Sequence, residues 1–328
     1  MITPAMAMRR HLRFLVREAF RQVEPHKPPL ILSPYLMAMC YSLEQTLHGE
    51  IKRLVINVLP RYGKSITAAV AFCAWLLGQN PRLKILVATY NEDLARLHDQ
   101  QLRQLMESPA YRAAFPGTVI DRKRTRQLEI YTTAGGSRMA VTTGGSATGY
   151  GGDYIILDDC IKAQDASSDA ERQRVEQWYR GTIGTRLNSK MLGVIISIQQ
   201  RLHERDLAAL ILEDGATHLN LPVIAVKHER IAIGPGRFYE REPGDLLAPE
   251  HENWETVQRQ KRQMGRRNFA LQYMQDPTPE GGNIVRPEWF LRYDEVLPRW
   301  HYLKLILSWD TAYGIDPGTA YSVCTVWG

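Results

Sequence analysis

Apolar residues in this chain fall into short, repeated runs. Arg53-Leu54-Val55-Ile56-Asn57-Val58 is almost continuously apolar and β-rich, as expected of a strand covered on both faces in a parallel sheet. Lys84 to Ala88, Tyr154 to Leu157 and Leu192 to Ser197 repeat the pattern. Between and after them, helical segments are predicted at about 64–78, from Asn91 to Met106, over 168–180 and from Glu204 to Glu213. Strands alternating with helices in this way predict a doubly wound α/β domain. Upstream, residues 8–24 mix basic and apolar positions at helical spacing, and a proline-rich break (Glu24 to Pro29) separates them from a second helix, Pro34 to about His48. Beyond residue 222 the pattern loosens among Pro, Gly, Arg and Trp, and Tyr302 to Trp327 predicts two strands around a turn, Tyr313 to Thr319. The expected divisions are an N-terminal helical region at 1–50, an α/β domain at 51–222, a connecting region at 223–300 and a hairpin at 301–328. There is no internal repeat and no low-complexity tract.

Composition narrows the class. Of the 328 residues, 44% are hydrophobic and 23% charged, a balance that excludes wholesale disorder. The longest apolar runs, such as Ala68 to Leu77, are about half the length of a bilayer crossing, and the N-terminus carries basic residues inside its apolar stretch, unlike a secretion signal. Four widely spaced cysteines without a CxxC pair fit a reducing compartment and argue against a disulfide scaffold or a cysteine zinc site. Forty-one Lys and Arg against 35 Asp and Glu give +6, a mild excess that changes the picture only through its clustering. Arg122, Lys123, Arg124 and Arg126 form one group and Lys261, Arg262, Arg266 and Arg267 another; each fits either a solvated face or a polyanion contact.

The sharpest chemical signal is Leu59-Pro60-Arg61-Tyr62-Gly63-Lys64-Ser65-Ile66-Thr67, between a buried strand and a helix. Gly63 lets the backbone approach a phosphate, and the helix start offers free N–H groups and a positive dipole end. Lys64 can reach β- and γ-phosphates and the Ser65 hydroxyl can ligate Mg²⁺. Val58 stands where the usual phosphate loop has its first glycine, so the strict pattern fails. Asp158-Asp159 follows four apolar residues at the carboxyl end of a strand, the edge where open α/β sheets bind ligands. One carboxylate can hold Mg²⁺ and the other can polarise water. The glycine-dense Thr143 to Gly152 just before it reads either as a mobile loop near a ligand or as a plain connection. His203 has no second His or Cys at ligand spacing.

Together, PRYGKS, GGSATGYGGDYIILDD and SIQQRLHERDL resemble the large subunit of tailed-phage terminase, the DNA-packaging motor, over about Pro34 to Trp327. The resemblance implies an α/β fold of the P-loop, additional-strand (ASCE-type) ATPase class with a mostly parallel sheet, followed by a fragment of a ribonuclease-H-like nuclease domain. That family often lacks the first glycine and carries an arginine before Gly-Lys-Ser, so Val58 and Arg61 fit it. It implies nucleotide contacts from Pro60, Arg61, Tyr62, Gly63, Lys64, Ser65 and Ile66, with Tyr35 against the base beside Pro34 and Gln45. It assigns Mg²⁺ to Ser65 and Asp158 and the catalytic carboxylate to Asp159, where the family more generally has Glu. Arg61 is a candidate charge-stabilising finger; Arg124, Arg126 and Arg138 are candidates for one supplied to a neighbouring subunit. Gln199, Gln200 and Arg201 match the family's coupling motif, which relays loss of the γ-phosphate, although Arg201 alternatively pairs with Glu204 or Asp206.

At the C-terminal end, Leu305 to Ala312 resembles the first strand of the terminase nuclease, with Asp310 at a metal-holding position. Two-metal chemistry needs several converging carboxylates, yet only Asp316 adds to it, and Ala320 stands where the family often has Asp. The expectation is therefore an ATPase followed by an incomplete nuclease, inactive alone, which when complete would use Mg²⁺ or Mn²⁺. The Gln272 to Gly282 segment resembles the family's linker. The implied setting is the bacterial host cytoplasm, with ATP and Mg²⁺ as ligands and double-stranded DNA, a small terminase subunit and a portal protein as partners of a homo-oligomeric ring. Alternatives are another P-loop DNA-dependent ATPase of helicase type, or an inactive prophage remnant.

Overall fold

Three helices come first in the computed structural model, which describes residues 3–145, 149–277, 298–302, 304–310 and 323–327. They are α1 (Pro4–Arg10), α2 (Leu12–Val23) and α3 (Pro34–Leu47). The single helix expected over 8–24 is interrupted at His11, whose extended backbone ends α1 and opens α2. Leu12, Leu15, Val16 and Ala19 of α2 repeat at i, i+3, i+4 and i+7 and are fully buried, the stripe that docks a helix on a core.

The strands that follow are β1 (Arg53–Val58), β2 (Lys84–Thr89), β3 (Glu129–Tyr131), β4 (Ser137–Thr142), β5 (Tyr154–Asp158), β6 (Val194–Gln199) and β7 (Thr217–Leu221). They form one sheet in the order β3-β4-β2-β5-β6-β1-β7. Every neighbouring pair is parallel except β3 with β4. The α/β, mostly parallel expectation therefore holds, and β6 lies between β1 and β5.

Alternate strand residues feed two separate cores. Leu54, Ile56, Val58, Ile85, Val87, Ile156, Ile196 and Ile198 face one side, with Leu12 and Met39 of α2 and α3. Val55, Leu86, Ala88, Ile155, Leu157 and Ile195 face the other. That second face is covered by α7 (Asp169–Trp178) and α8 (Leu207–Glu213) through Val175, Trp178, Leu207 and Ile211. The helix expected at 64–78 begins as a π-helical segment, Ile66–Phe72, and continues as α4 (Cys73–Gln79). After β2 come α5 (Glu92–Glu107) and α6 (Pro109–Ala114).

The stretch expected to connect domains is a folded layer. It holds an antiparallel hairpin, β8 (Glu229–Gly234) with β9 (Arg237–Arg241), and α9 (Trp254–Gln272), kinked at Gly265. Leu246, Leu247, Ala248, Val257, Phe269 and Tyr273 join the same core as α2 and β1. The chain divides into two compact units at 279/280, so the helical region at 1–50 and most of 223–300 belong with the sheet. In the second unit, β10 (Ile306–Asp310) and β11 (Val323–Trp327) pair antiparallel, with Asp310 opposite Val323. The turn expected at 313–319 lies outside the described residues, as do Ser146 to Thr148 of the glycine-dense loop and the part of the hinge beyond Pro277. No helix among the described residues is long and apolar enough to cross a membrane.

Arg241 ties the added layer together. Its buried guanidinium pairs with Glu229 at 2.9 Å and donates to the carbonyls of Pro222 and Asp245 at 3.1 and 2.9 Å. Removing one partner of a buried pair strands the other. Arg241→Ala is expected to lower the stability of the first unit by about 3 kcal/mol, read as a fall in the denaturant midpoint.

Candidate functional site

The turn leaving the carboxyl end of β1 is built on two left-handed residues, Arg61 (φ 68) and Gly63 (φ 72). A Cβ on Gly63 would sit 2.9 Å from the Phe20 ring, so both backbone sign and space require glycine there. The chain turns helical at once, with the Thr67 N–H donating to the Gly63 carbonyl at 3.0 Å.

β5 ends at the same edge. Asp158 is fully buried. Asp159 is left-handed (φ 45), which Asp tolerates better than longer side chains. Its N–H donates to the Ile198 carbonyl at 3.2 Å and its carbonyl accepts from the Tyr90 N–H at 3.0 Å, which locks it between β6 and β2. Two contacts close the site. The Lys64 ammonium lies 2.9 Å from Asp159 Oδ2, and the Ser65 hydroxyl donates to Asp158 Oδ1 at 3.0 Å. Burial pushes the Asp158 carboxyl up from its ordinary pKa and the charge of Asp159 adds to this, against Lys64, Ser65 and Arg138.

The donor set suits a hard cation. The Ser65 hydroxyl and Asp158 Oδ1 are adjacent oxygens. Among the described residues no group of three or more His, Cys, Asp or Glu could hold a metal. A hydroxyl and a carboxylate oxygen are the ligand types that Mg²⁺ takes alongside phosphate and water.

The other expected residues divide. Pro60 and Ile66 flank the turn half-buried and Arg61 is exposed. Tyr62 is buried: its hydroxyl donates to Glu252 at 3.0 Å, and its ring meets Tyr35 at 5.1 Å and His251 at 5.0 Å. Tyr35 is thus a core side chain beneath the turn, not an open stacking surface. Gln199 ends β6, with its carbonyl accepting from Asn57 Nδ2 at 3.0 Å. Gln200 Oε1 is buried without a hydrogen-bond partner. The Arg201 guanidinium is engaged by both oxygens of Asp206, at 3.2 and 3.0 Å, so it is tied inside its own turn. Its N–H donates to Gln275 Oε1 at 2.8 Å. Among the finger candidates, Arg138 is ruled out by complete burial, while Arg124 lies over the Tyr131 ring at 4.4 Å. Asp310 ends β10, and its side chain lies outside the described residues.

The sequence reading missed His98 and Asp99 of α5, which lie behind Asp158. His98 Nδ1 is 3.7 Å from Asp158 Oδ2, and burial, then the charge of Arg138, pushes its pKa down to about 3. The signal was present: the buried stripe of α5, Ala95, His98, Asp99, Leu102, Leu105 and Met106, carries two polar residues at core positions.

Residues 60–206, which hold the lysine turn and the twin aspartates, match the family described as terminase large subunit, T4likevirus-type, N-terminal. Similar solved structures include the large terminase of bacteriophage HK97 at 12% identity and TM-score 0.45, covering 65% of this chain and 44% of that one. The chain thus spans less than half the length of that protein. The large terminase ATPase domain of a Thermus phage is similar at 15% identity and TM-score 0.39, covering 77% of this chain and 95% of that one. A large terminase from a thermophilic bacteriophage in complex with ADP is similar at 12% and 0.42, covering 86% and 61%. No curated protein matches the chain.

The raised Asp158 pKa has a stability consequence. A carboxyl that binds its proton more tightly when folded favours the fold at low pH, and that contribution is lost as pH rises from the unfolded pKa through the folded one. Asp158→Asn lacks this penalty. Its melting temperature relative to wild type, without nucleotide, is expected to rise between pH 5 and pH 8; a difference that shrinks with pH would mean that Lys64 and Arg138 outweigh burial.

Proposed function

We propose that this chain is an ATP-hydrolysing motor subunit of a phage large terminase that translocates double-stranded DNA into a procapsid. The observation that carries the proposal is the meeting of the two chemical motifs: Lys64 on Asp159 at 2.9 Å and Ser65 on Asp158 at 3.0 Å. The strand between β1 and β5 supports the additional-strand P-loop class, and the family match to 60–206 supports the terminase assignment.

On this reading the backbone at Gly63 and the helix start bind the phosphates of ATP. Lys64 neutralises the β- and γ-phosphate oxygens, and Asp159 orients the attacking water and takes up its proton. Ser65 and Asp158 would hold Mg²⁺, which would supply positive charge to offset the charge developing on the phosphates. Exposed Arg61 is placed to stabilise the transferring phosphoryl group. Gln199 and Gln200, at the end of the strand between the two motifs, would sense the γ-phosphate, and Arg201 would hold their turn in shape. Grip on DNA would be through phosphates and therefore sensitive to salt. The chain would act as a ring in the host cytoplasm with a small subunit and a portal protein.

Lys64→Ala is expected to reduce ATP turnover by about 100-fold or more, the scale of losing one positioned charge on a transition state. Phosphate release with and without DNA measures this, and retained turnover would remove Lys64 from the site. For the second unit we propose a nuclease-like strand pair with Asp310 as its one acidic anchor in β10.

A further inference from the structure

Behind the phosphate turn lies a polar cluster that the proposed chemistry leaves unused. Arg138 is fully buried on β4 beside the Cys73 thiol, and none of its three guanidinium nitrogens makes a hydrogen bond of ordinary geometry. Its Nη1 lies 3.8 Å from Asp99 Oδ1, also without a hydrogen-bond partner, while Asp99 Oδ2 accepts from Arg103 Nε at 2.8 Å. Next to Asp99 on α5, His98 directs Nδ1 at Asp158 Oδ2 from 3.7 Å, and neither atom has a hydrogen-bond partner.

Buried polar atoms are nearly always satisfied, and a group left without a partner costs about 1–3 kcal/mol. Here two facing pairs each stop about 1 Å beyond bonding distance. Both stand on one helix turn, and one of them touches the carboxylate that the proposed function gives to Mg²⁺. Once packing sets its Cα–Cβ rotamer, the rotation of an aspartate about Cβ–Cγ decides where its two oxygens point. Ser65 fixes one oxygen; whatever holds the other sets the plane. His98 is the side chain facing it, and its neutral ring can donate from Nδ1. Hydrogen bonds at functional sites are often long before the ligand is bound and tighten with it.

We propose that His98 is a positioning residue for Asp158: by donating from Nδ1 to Oδ2 it keeps Oδ1 turned toward Ser65 and the metal. Asp99 and Arg138 hold that part of α5 against β4. The proposal rests on the reading of Asp158 as a Mg²⁺ ligand, and outer partners of this kind are worth about 10–100-fold in metal affinity.

The test uses the whole chain with Mn²⁺ as the probe, titrated by electron paramagnetic resonance in the presence of ADP, alongside metal-free ADP affinity and thermal unfolding. His98→Leu is expected to weaken Mn²⁺ about tenfold with metal-free ADP affinity unchanged. His98→Asn, whose amide nitrogen overlies Nδ1, is expected to restore it to within about threefold. Equal Mn²⁺ affinity in wild type and His98→Leu overturns the inference, and so does equal weakening by Leu and Asn, which marks a packing role. If His98→Leu does not fold, Asn is compared with His98→Gln, whose amide nitrogen lies one methylene too far; the inference requires Gln to be about tenfold weaker than Asn, and equality overturns it. A wild-type chain that takes up no Mn²⁺ with ADP overturns the nucleotide reading and this inference together.

Discussion

The pairing of Lys64 with Asp159 joins the two halves of the proposed chemistry, and the sheet exists in the form that allows it. Both residues leave the carboxyl ends of strands, and because the central strands are all parallel, those ends share one edge. β6 keeps β1 and β5 one strand apart, a gap a lysine side chain spans. An ammonium and a carboxylate this shielded from solvent are each costly alone; together they offset one another, and the same ammonium remains within reach of phosphate oxygens at the turn.

The backbone is strained at both ends of that contact. Arg61 and Asp159 are two of the four described non-glycine residues with positive φ, a conformation that costs about 1–2 kcal/mol for an ordinary L-residue. Such strain gathers where function over-determines geometry. A short side chain is eased at this φ, and from here the Asp159 Oδ2 already reaches Lys64 at 2.9 Å.

Much of this was legible because it is written in local pattern. Continuous apolar runs marked β1, β2, β5 and β6, and the GKS and DD motifs marked the edge. What escaped was set by tertiary context. β3 has three residues, β4 carries the buried Arg138, and β7 is an edge strand that is largely exposed, so none shows an apolar run. The layer beyond residue 222 reads as loose because its core contribution comes from scattered positions such as Leu247, Val257 and Phe269. Arg138 and Tyr35 show the same limit: the resemblance offers the one among several finger candidates and the other as a base contact, and only packing shows both buried.

The buried contacts also tie the added layer to the first unit. β6 is fastened to β1 through Asn57, which donates to the Gln199 carbonyl while its own oxygen meets His218 Nε2 at 2.8 Å. The next residues turn into the Arg201–Asp206 pair, and the Arg201 N–H is held by Gln275. Gln275 is itself left-handed (φ 54) and nearly inaccessible, just where the first unit ends. A shift of the β6 terminus therefore cannot leave Gln275 in place without breaking a buried hydrogen bond. The proposed coupling turn is thereby joined to Gln275 by a buried hydrogen bond.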